Sequence, residues 1–311
     1  MRYLITGGAG FIGSHIAEEL VSKGEEVIIF DDLSAGRPEN IKHIKEKIKF
    51  VRGDIRNFSL VKKAMKNVDY VSHQAAKTSV RASVENASEF NEVNVIGAYN
   101  VLKAASERGV KKVVYASSSS VYGDSSKFPL KETFNPKPKS PYSITKYFGE
   151  LYCKYFFEEH GLDIVSLRYF NVFGARQNYA GEYANAIPSF ITRMLKDQQP
   201  ILYGDGQQSR DFIYVKDVVA ANLLACKANK INDLVINVCS GKSVSLIELV
   251  SRINRLLGKE IKPEFIDSQK ADINKTLGDS TLSKGLLGFK PKVSFGKGLR
   301  ETVEWFKCCV K

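Results

Sequence analysis

The sequence predicts an α/β fold, a doubly wound parallel sheet followed by a smaller C-terminal α/β region. Three observations carry that expectation. Short apolar runs of strand length alternate with helical stretches as far as Gly174. A turn punctuated by Gly7, Gly10 and Gly13 joins the first apolar run to the first helical one. Beyond Gly174 the alternation breaks, and Arg176 to Asn185 reads as a polar loop. We therefore expect residues 1–174 to form a dinucleotide-binding unit, to which the chain returns near 211–240. Residues 175–311 would mainly bind substrate.

Arg2 to Ile5 reads as a buried strand, and Ser14 to Lys23 as a helix with Ile16, Ala17 and Leu20 on its apolar face. The glycines between them let a diphosphate approach the backbone, and the helix start offers free N–H groups and a positive dipole end. Val27 to Phe30 is the second strand, ending on Asp31 and Asp32. An acidic residue ~20 positions after the glycines is placed to accept the adenosine ribose hydroxyls and would repel a 2′-phosphate. The expected cofactor is NAD rather than NADP, with Arg37 the one nearby residue that argues otherwise.

The rhythm continues along the chain. Ile48 to Arg52 is a strand leading to Asp54 and Ile55, which would meet the adenine edge; Leu60 to Met65 is a short helix. Tyr70 to His73 is a strand delivering Gln74, Ala75, Ala76 and Lys77, small residues that let a ligand pass close by. Asn91 to Arg108 reads as one long helix with Val95, Tyr99, Leu102 and Ala105 on a stripe. Lys112 to Ala116 is a strand that ends in four serines, Ser117 to Ser120, and Val121-Tyr122-Gly123. Prolines keep Lys127 to Pro141 irregular, and a helix then runs to Glu159, with Tyr142 and Lys146 four residues apart on one face. Asp163 to Arg168 is a strand. Later, Ile187 to Leu195 and Val218 to Lys227 are helices, Leu234 to Val238 a returning strand, and Leu246 to Leu257 and Gly298 to Cys308 further helices.

Composition narrows the classes. The 43% of apolar residues can bury a substantial core. No apolar run approaches the ~18 residues of a membrane span, and Met1 leads straight into a strand, so neither membrane insertion nor a signal peptide is expected. Five cysteines without CxxC spacing and four scattered histidines predict a reducing, cytoplasmic setting and no metal. The net charge of +12 is spread along the chain. Its densest stretch, Lys42 to Lys49, sets Ile41, Ile44 and Ile48 at helical spacing, so the charges there face solvent. Nucleic acid is not expected; a small polyanionic substrate is.

Five motifs together resemble the extended short-chain dehydrogenase/reductases, a Rossmann-fold family. They are Thr6-Gly-Gly-Ala-Gly-Phe-Ile-Gly13, Ser117 to Gly123, Tyr142-x-x-x-Lys146, Arg168-Tyr-Phe-Asn-Val-Phe-Gly174, and Gly204-Asp-Gly206 leading to Arg210-Asp211. Within that family the chain is most similar to nucleotide-sugar 4-epimerases of the UDP-galactose 4-epimerase type, over nearly its whole length. The resemblance implies Ser118, Tyr142 and Lys146 as the catalytic residues. It adds Phe11, Ile12, Ser34, Gly36, Asn94, Ser117 and Tyr169 to the NAD site. It places a UDP-sugar against Lys77, Ser118, Ser119, Tyr142, Asn171, Asn185, Tyr203, Arg210, Asp272 and Thr276. It also implies a homodimer in which helices Asn91–Arg108 and Ser143–Glu159 pair as a four-helix bundle.

Chemistry agrees with those roles. Oxidising a sugar C4 hydroxyl needs a base near O4, and a tyrosine at its ordinary pKa of ~10 is too weakly ionised. Lys146 and a positive nicotinamide are expected to lower it, with Ser118 relaying the proton. The related sugar 4,6-dehydratases carry an Asp-Glu pair where this chain has Ser119-Ser120; dehydration and decarboxylation therefore lack their acid, and C4 epimerisation remains. One departure stands out: Gln269 replaces the arginine usual three residues before the aspartate matching Asp272, and Lys270 is the neighbouring cation. Thr276, small where a tyrosine restricts the family's sugar pocket, implies room for an N-acetyl group. The competing readings are a UDP-glucuronate 4-epimerase, which often shares the four serines, and a non-catalytic NAD-binding regulator of the same fold.

Overall fold

A computed structural model describes residues 1–179, 185–229, 231, 233–267 and 274–310. The first six strands are β1 (Arg2–Thr6), β2 (Glu26–Asp31), β3 (Ile48–Arg52), β4 (Tyr70–His73), β5 (Lys112–Ser118) and β6 (Ile164–Tyr169). They are followed by β7 (Asn171–Phe173), β8 (Ile201–Tyr203), β9 (Ser209–Tyr214), β10 (Leu234–Val238), β11 (Ser243–Ser245) and β12 (Glu264–Ile266). Among the described residues, seven strands form one sheet in the order β10-β6-β5-β4-β1-β2-β3, with every pairing parallel. The order reverses between β1 and β4, and the crevice beyond their carboxyl ends is where ligands of such sheets bind.

Side-chain alternation explains why both faces are covered. Tyr3 and Ile5 of β1, Val27 and Ile29 of β2, and Val114 and Ala116 of β5 join one apolar layer. Leu4, Ile28, Phe30, Val113 and Tyr115, offset by one residue, join the other. The first layer is completed by α1 (Phe11–Ser22) and by α8 (Val215–Lys227). The second is completed by α2 (Phe58–Ala64) and, after α3 (Val80–Glu85) and α4 (Ala87–Asn91), by residues of α5 (Gly97–Glu107) and α6 (Pro141–His160).

The expected long helix Asn91–Arg108 is interrupted. A π turn over Glu92–Ile96 separates α4 from α5 (Gly97–Glu107). Such turns are costly and tend to occur at functional sites. Here it aims the buried Asn94 inward, where its amide bonds the Lys77 backbone in both directions and Thr145 of α6 (Pro141–His160). The Lys42–Lys47 stretch is 3₁₀ rather than α-helical, though Ile41 and Ile44 are buried as the spacing required.

The remaining helices are α7 (Ala186–Leu195), α8 (Val215–Lys227), α9 (Leu246–Leu257), α10 (Thr281–Leu287) and α11 (Phe295–Cys309). A separate apolar cluster gathers Phe190, Ile191, Leu202, Leu249, Ile253, Val303 and Phe306 from α7, β8, α9 and α11. Two small sheets, β11-β9-β7 and β12-β8, frame it. Sequence periodicity missed these strands; four of the five have only three residues, too few to show a period of two. No described helix is long and apolar enough to cross a membrane.

Candidate active site

The glycine turn is built for close approach. Gly7 has φ +67° and its N–H donates to Phe30 O at 2.8 Å; a Cβ there would lie 2.7 Å from Ala75 N. At Gly13 a Cβ would come within 2.2 Å of Gly7 O. At Gly10 it would meet only Gly7 O, at 3.1 Å, and otherwise project into open space in front of α1. The helix opens without a side-chain cap or an acidic residue in its first turn, so the N–H groups of Phe11, Ile12 and Gly13 have no intrahelical acceptor. This cradle fits the diphosphate of a dinucleotide.

Asp31 closes the turn from β2. It is buried, accepts from Ala9 N at 2.9 Å and Leu33 N at 2.8 Å, and burial raises its pKa against those two bonds. A Cβ on Gly36 would lie 2.7 Å from the Asp31 carboxylate, so that residue is small for a reason. Asp32 is exposed and binds Ser34 through both its N–H and hydroxyl. Asn40, unnoticed in the sequence, donates to Ala9 O and fastens the loop over the glycines. Arg37 turns to the 175–179 loop, donating to Asn178 at 2.8 Å and lying over the Tyr179 ring.

Several expected cofactor residues have their side chains engaged by protein. Asp54 is held by Arg56 at 2.6 Å, which keeps its pKa low, while buried Ile55 packs below Gly97. Lys77 Nζ pairs with Glu89 at 2.9 Å, so only its backbone is tied to Asn94. The Ser117 hydroxyl donates to Glu150. Gln74 Nε2 donates to Ser72, Tyr169 and Asn222, which binds the Tyr169 hydroxyl in turn. Asn222 was not anticipated, since nothing in its local sequence marks it; α8 carries it to the end of β6.

Ser118, Tyr142 and Lys146 meet at the end of β5. Ser140 and Ser143 form a capping box, with Pro141 in the first turn, and so start α6 where Tyr142 faces the strand. Tyr142 is buried and hydrogen-bonds Ser118, whose Oγ also accepts from Ser120 N. Lys146 is buried, donates to Ala116 O at 2.8 Å and sits over the Tyr115 ring. Burial lowers its pKa to about 8. The expected lowering of Tyr142 is not a property of the protein alone: burial raises its pKa, opposed by the Ser118 bond. His73, at the end of β4, contacts Thr6 Oγ1 at 2.6 Å and is held neutral by burial, with a pKa near 3.

A buried pair underlies this group. Glu150 accepts from Arg168 Nε at 2.9 Å and Nη2 at 2.7 Å, and both side chains are almost wholly excluded from solvent. Arg168 also stacks on Tyr122, whose hydroxyl donates to Asn237. Glu150 extends the 142–146 spacing by one more turn, a signal that was present in the sequence but not used.

On the far side of the crevice, Asn171 Nδ2 donates to Thr276 Oγ1 at 3.0 Å and to Asp211 O. Thr276 is buried and accepts from Asp211 N as well. The Asp211 carboxylate takes bonds from Ser240, Gly241 and Gly278, joining three segments. Gln208 holds Tyr203 O, and Arg210 Nη1 donates to Ser209 O. Ser119 sits in the 3₁₀ turn after β5, and Asn185 is exposed before α7 without capping it. Asp272, with Gln269 and Lys270, lies outside the described residues.

With this geometry in place, comparison with known proteins is direct. The family model described as the NAD dependent epimerase/dehydratase family matches residues 3–239. The chain is similar to the solved UDP-N-acetylglucosamine 4-epimerase from Methanobrevibacter ruminantium M1, in complex with UDP-N-acetylmuramic acid. Identity is 41%, TM-score 0.95, and coverage 99% of this chain and 98% of that one. It is also similar to the UDP-glucose 4-epimerase of Thermotoga maritima, solved with UDP-glucose, at 37% identity, TM-score 0.96 and full coverage of both, 100% each. A UDP-glucuronate 4-epimerase of Thermodesulfobacterium geofontis is 35% identical over 317 residues, covering 98% of this chain and 96% of the relative. The chain therefore belongs to the NAD dependent epimerase/dehydratase family, and it is an NAD-dependent isomerase of nucleotide sugars.

Proposed function

We propose that this chain interconverts the C4 epimers of UDP-glucose and UDP-galactose, and also those of UDP-N-acetylglucosamine and UDP-N-acetylgalactosamine. The observation that carries the reading is the convergence of Ser118, Tyr142 and Lys146 with no carboxylate between Ser117 and Tyr122. Glu150, which does reach Ser117, is locked by Arg168 and is no acid for elimination. In this reading the large sheet holds NAD and residues 175–311 mainly hold the nucleotide sugar. Gly7, Gly10 and the start of α1 receive the dinucleotide diphosphate, Asp31 its adenosine ribose, and Lys146 its nicotinamide ribose. Bound NAD supplies the acceptor, and then the donor, of the C4 hydride. Tyr142 takes the O4 proton as the hydride leaves C4, while Ser118 holds the same oxygen. Once the 4-keto sugar has turned over in the site, the hydride returns to the opposite face of C4 and Tyr142 gives the proton back to O4. Asn171 and Arg210 bind the substrate diphosphate, with Tyr203 and Asn185 beside the uridine. Hydride return restores the cofactor in each cycle, so added NAD is not required.

Incubation of the purified enzyme with UDP-glucose, UDP-N-acetylglucosamine and UDP-glucuronate separately, with the 4-epimers resolved, tests this. The first two are expected to turn over without added cofactor. Turnover of UDP-glucuronate alone would assign the acidic sugar, and no turnover with NAD still bound would leave a regulator. Thr276 carries the range. Thr276→Tyr should overpack the pocket by ~1–3 kcal/mol against the acetamido sugar and largely spare UDP-glucose. Equal losses on both would trace instead to the missing Thr276 bonds with Asp211 and Asn171, and would overturn the gate.

The same reading makes the protein a homodimer. Ile144, Phe148, Leu151 and Tyr155 of α6 and Ile96 just before α5 are exposed apolar residues, more than a monomer ordinarily displays in one place. Phe148→Glu is expected to give a monomer in light scattering with NAD retained. An unchanged dimer would move the interface elsewhere.

A further inference from the structure

Arg81 was singled out by no motif, yet it spans the crevice. It sits on α3, just beyond the Gln74–Lys77 segment, and its side chain reaches Tyr203 of β8. Nη1 donates to the Tyr203 hydroxyl at 2.9 Å, and the guanidinium lies 4.3 Å from the ring centroid. Both residues are only partly buried. Among the described residues no carboxylate lies within 4 Å of this guanidinium, whereas Arg56, Arg168, Arg176 and Arg252 each have one. A cation resting on an aromatic face with no counter-ion among the described residues is poised to receive an anion. Tyr203 is anchored through Gln208, next to Ser209 and Arg210, so the contact brings Arg81 to the edge that carries the second guanidinium.

We propose that Arg81 is a substrate-binding residue: its guanidinium, docked on Tyr203 in the free protein, binds the diphosphate of the nucleotide sugar together with Arg210. This rests on the UDP-sugar reading above. An aromatic base and a guanidinium compete for the same ring face. Uracil arriving on Tyr203 displaces Arg81, and a planar fork of N–H donors is well matched to phosphate oxygens. Because Arg81 follows directly on the segment beside the glycine turn, it also ties the substrate half of the crevice to the cofactor half.

Calorimetric titration of the NAD-loaded protein with UDP and with uridine, for wild type and Arg81→Met, tests the proposal. Arg81→Gln is the second variant should the first fold poorly. Loss of one charge-assisted contact is expected to weaken UDP about tenfold or more, with uridine within about twofold and bound NAD unchanged. Equal weakening of UDP and uridine would make Arg81 a prop for Tyr203 only, and unchanged UDP affinity would remove it from the site. Either result overturns the proposal. Failure of the wild type to bind UDP at all would instead sink the UDP-sugar reading.

Discussion

Tyr142→Phe is expected to lower turnover about 10²- to 10⁴-fold, the range typical of a general acid–base group, while leaving the fold and bound NAD intact. Only the phenolic oxygen is removed, and the ring keeps its place between α6 and the end of β5. The structure sharpens the expectation through pH. In the free protein burial raises the Tyr142 pKa, and the nearby Lys146 ammonium is itself pushed down to about 8. The base is therefore the minority species at neutral pH until a second positive charge is bound beside it. Wild-type kcat/KM should rise with pH as the phenol ionises, and the residual rate of the variant should lose that dependence. Single-turnover rates on UDP-glucose at several pH values measure both. A near-normal rate in Tyr142→Phe would remove it as the base.

Glu150→Ala is expected to be the most destabilising single change at the site, by ~3–5 kcal/mol in denaturant unfolding. The substitution would strand the Arg168 guanidinium inside the protein, where Nη1 already has no partner among the described atoms. It would also take the acceptor from Ser117, the residue before Ser118. Glu150 is one turn beyond Lys146, so this pair clamps α6 to β5 and β6 at the level where Tyr142 and Ser118 must meet. Replacing both partners by apolar residues, Glu150→Leu with Arg168→Met, should recover much of the loss, because no buried charge is then left alone. A loss below about 1 kcal/mol for Glu150→Ala would show that apolar packing alone positions the helix.

Local patterns were enough for the elements of the large sheet. Apolar runs buried on both faces, the Gly7–Gly13 turn and the helix start at Pro141 are short-range features, and each maps onto a strand, a turn or a first helical turn. They also placed Asp31 at the end of β2 and Tyr142 and Lys146 on one face of α6. Other features depend on partners far away in sequence. The π turn before α5 exists because Asn94 must reach Lys77 and Thr145. Lys77 and Asp54 had readable positions, but their side-chain directions were decided by Glu89 and Arg56. Asn222 is an isolated polar residue in the sequence, and Asp211 and Arg168 stand in recognisable motifs, but the role of all three comes from the buried acceptors and donors that packing sets around them. Residue type and spacing report which face a side chain takes. The low-dielectric interior, where every polar group must find a partner, decides what that side chain touches and which way its pKa moves.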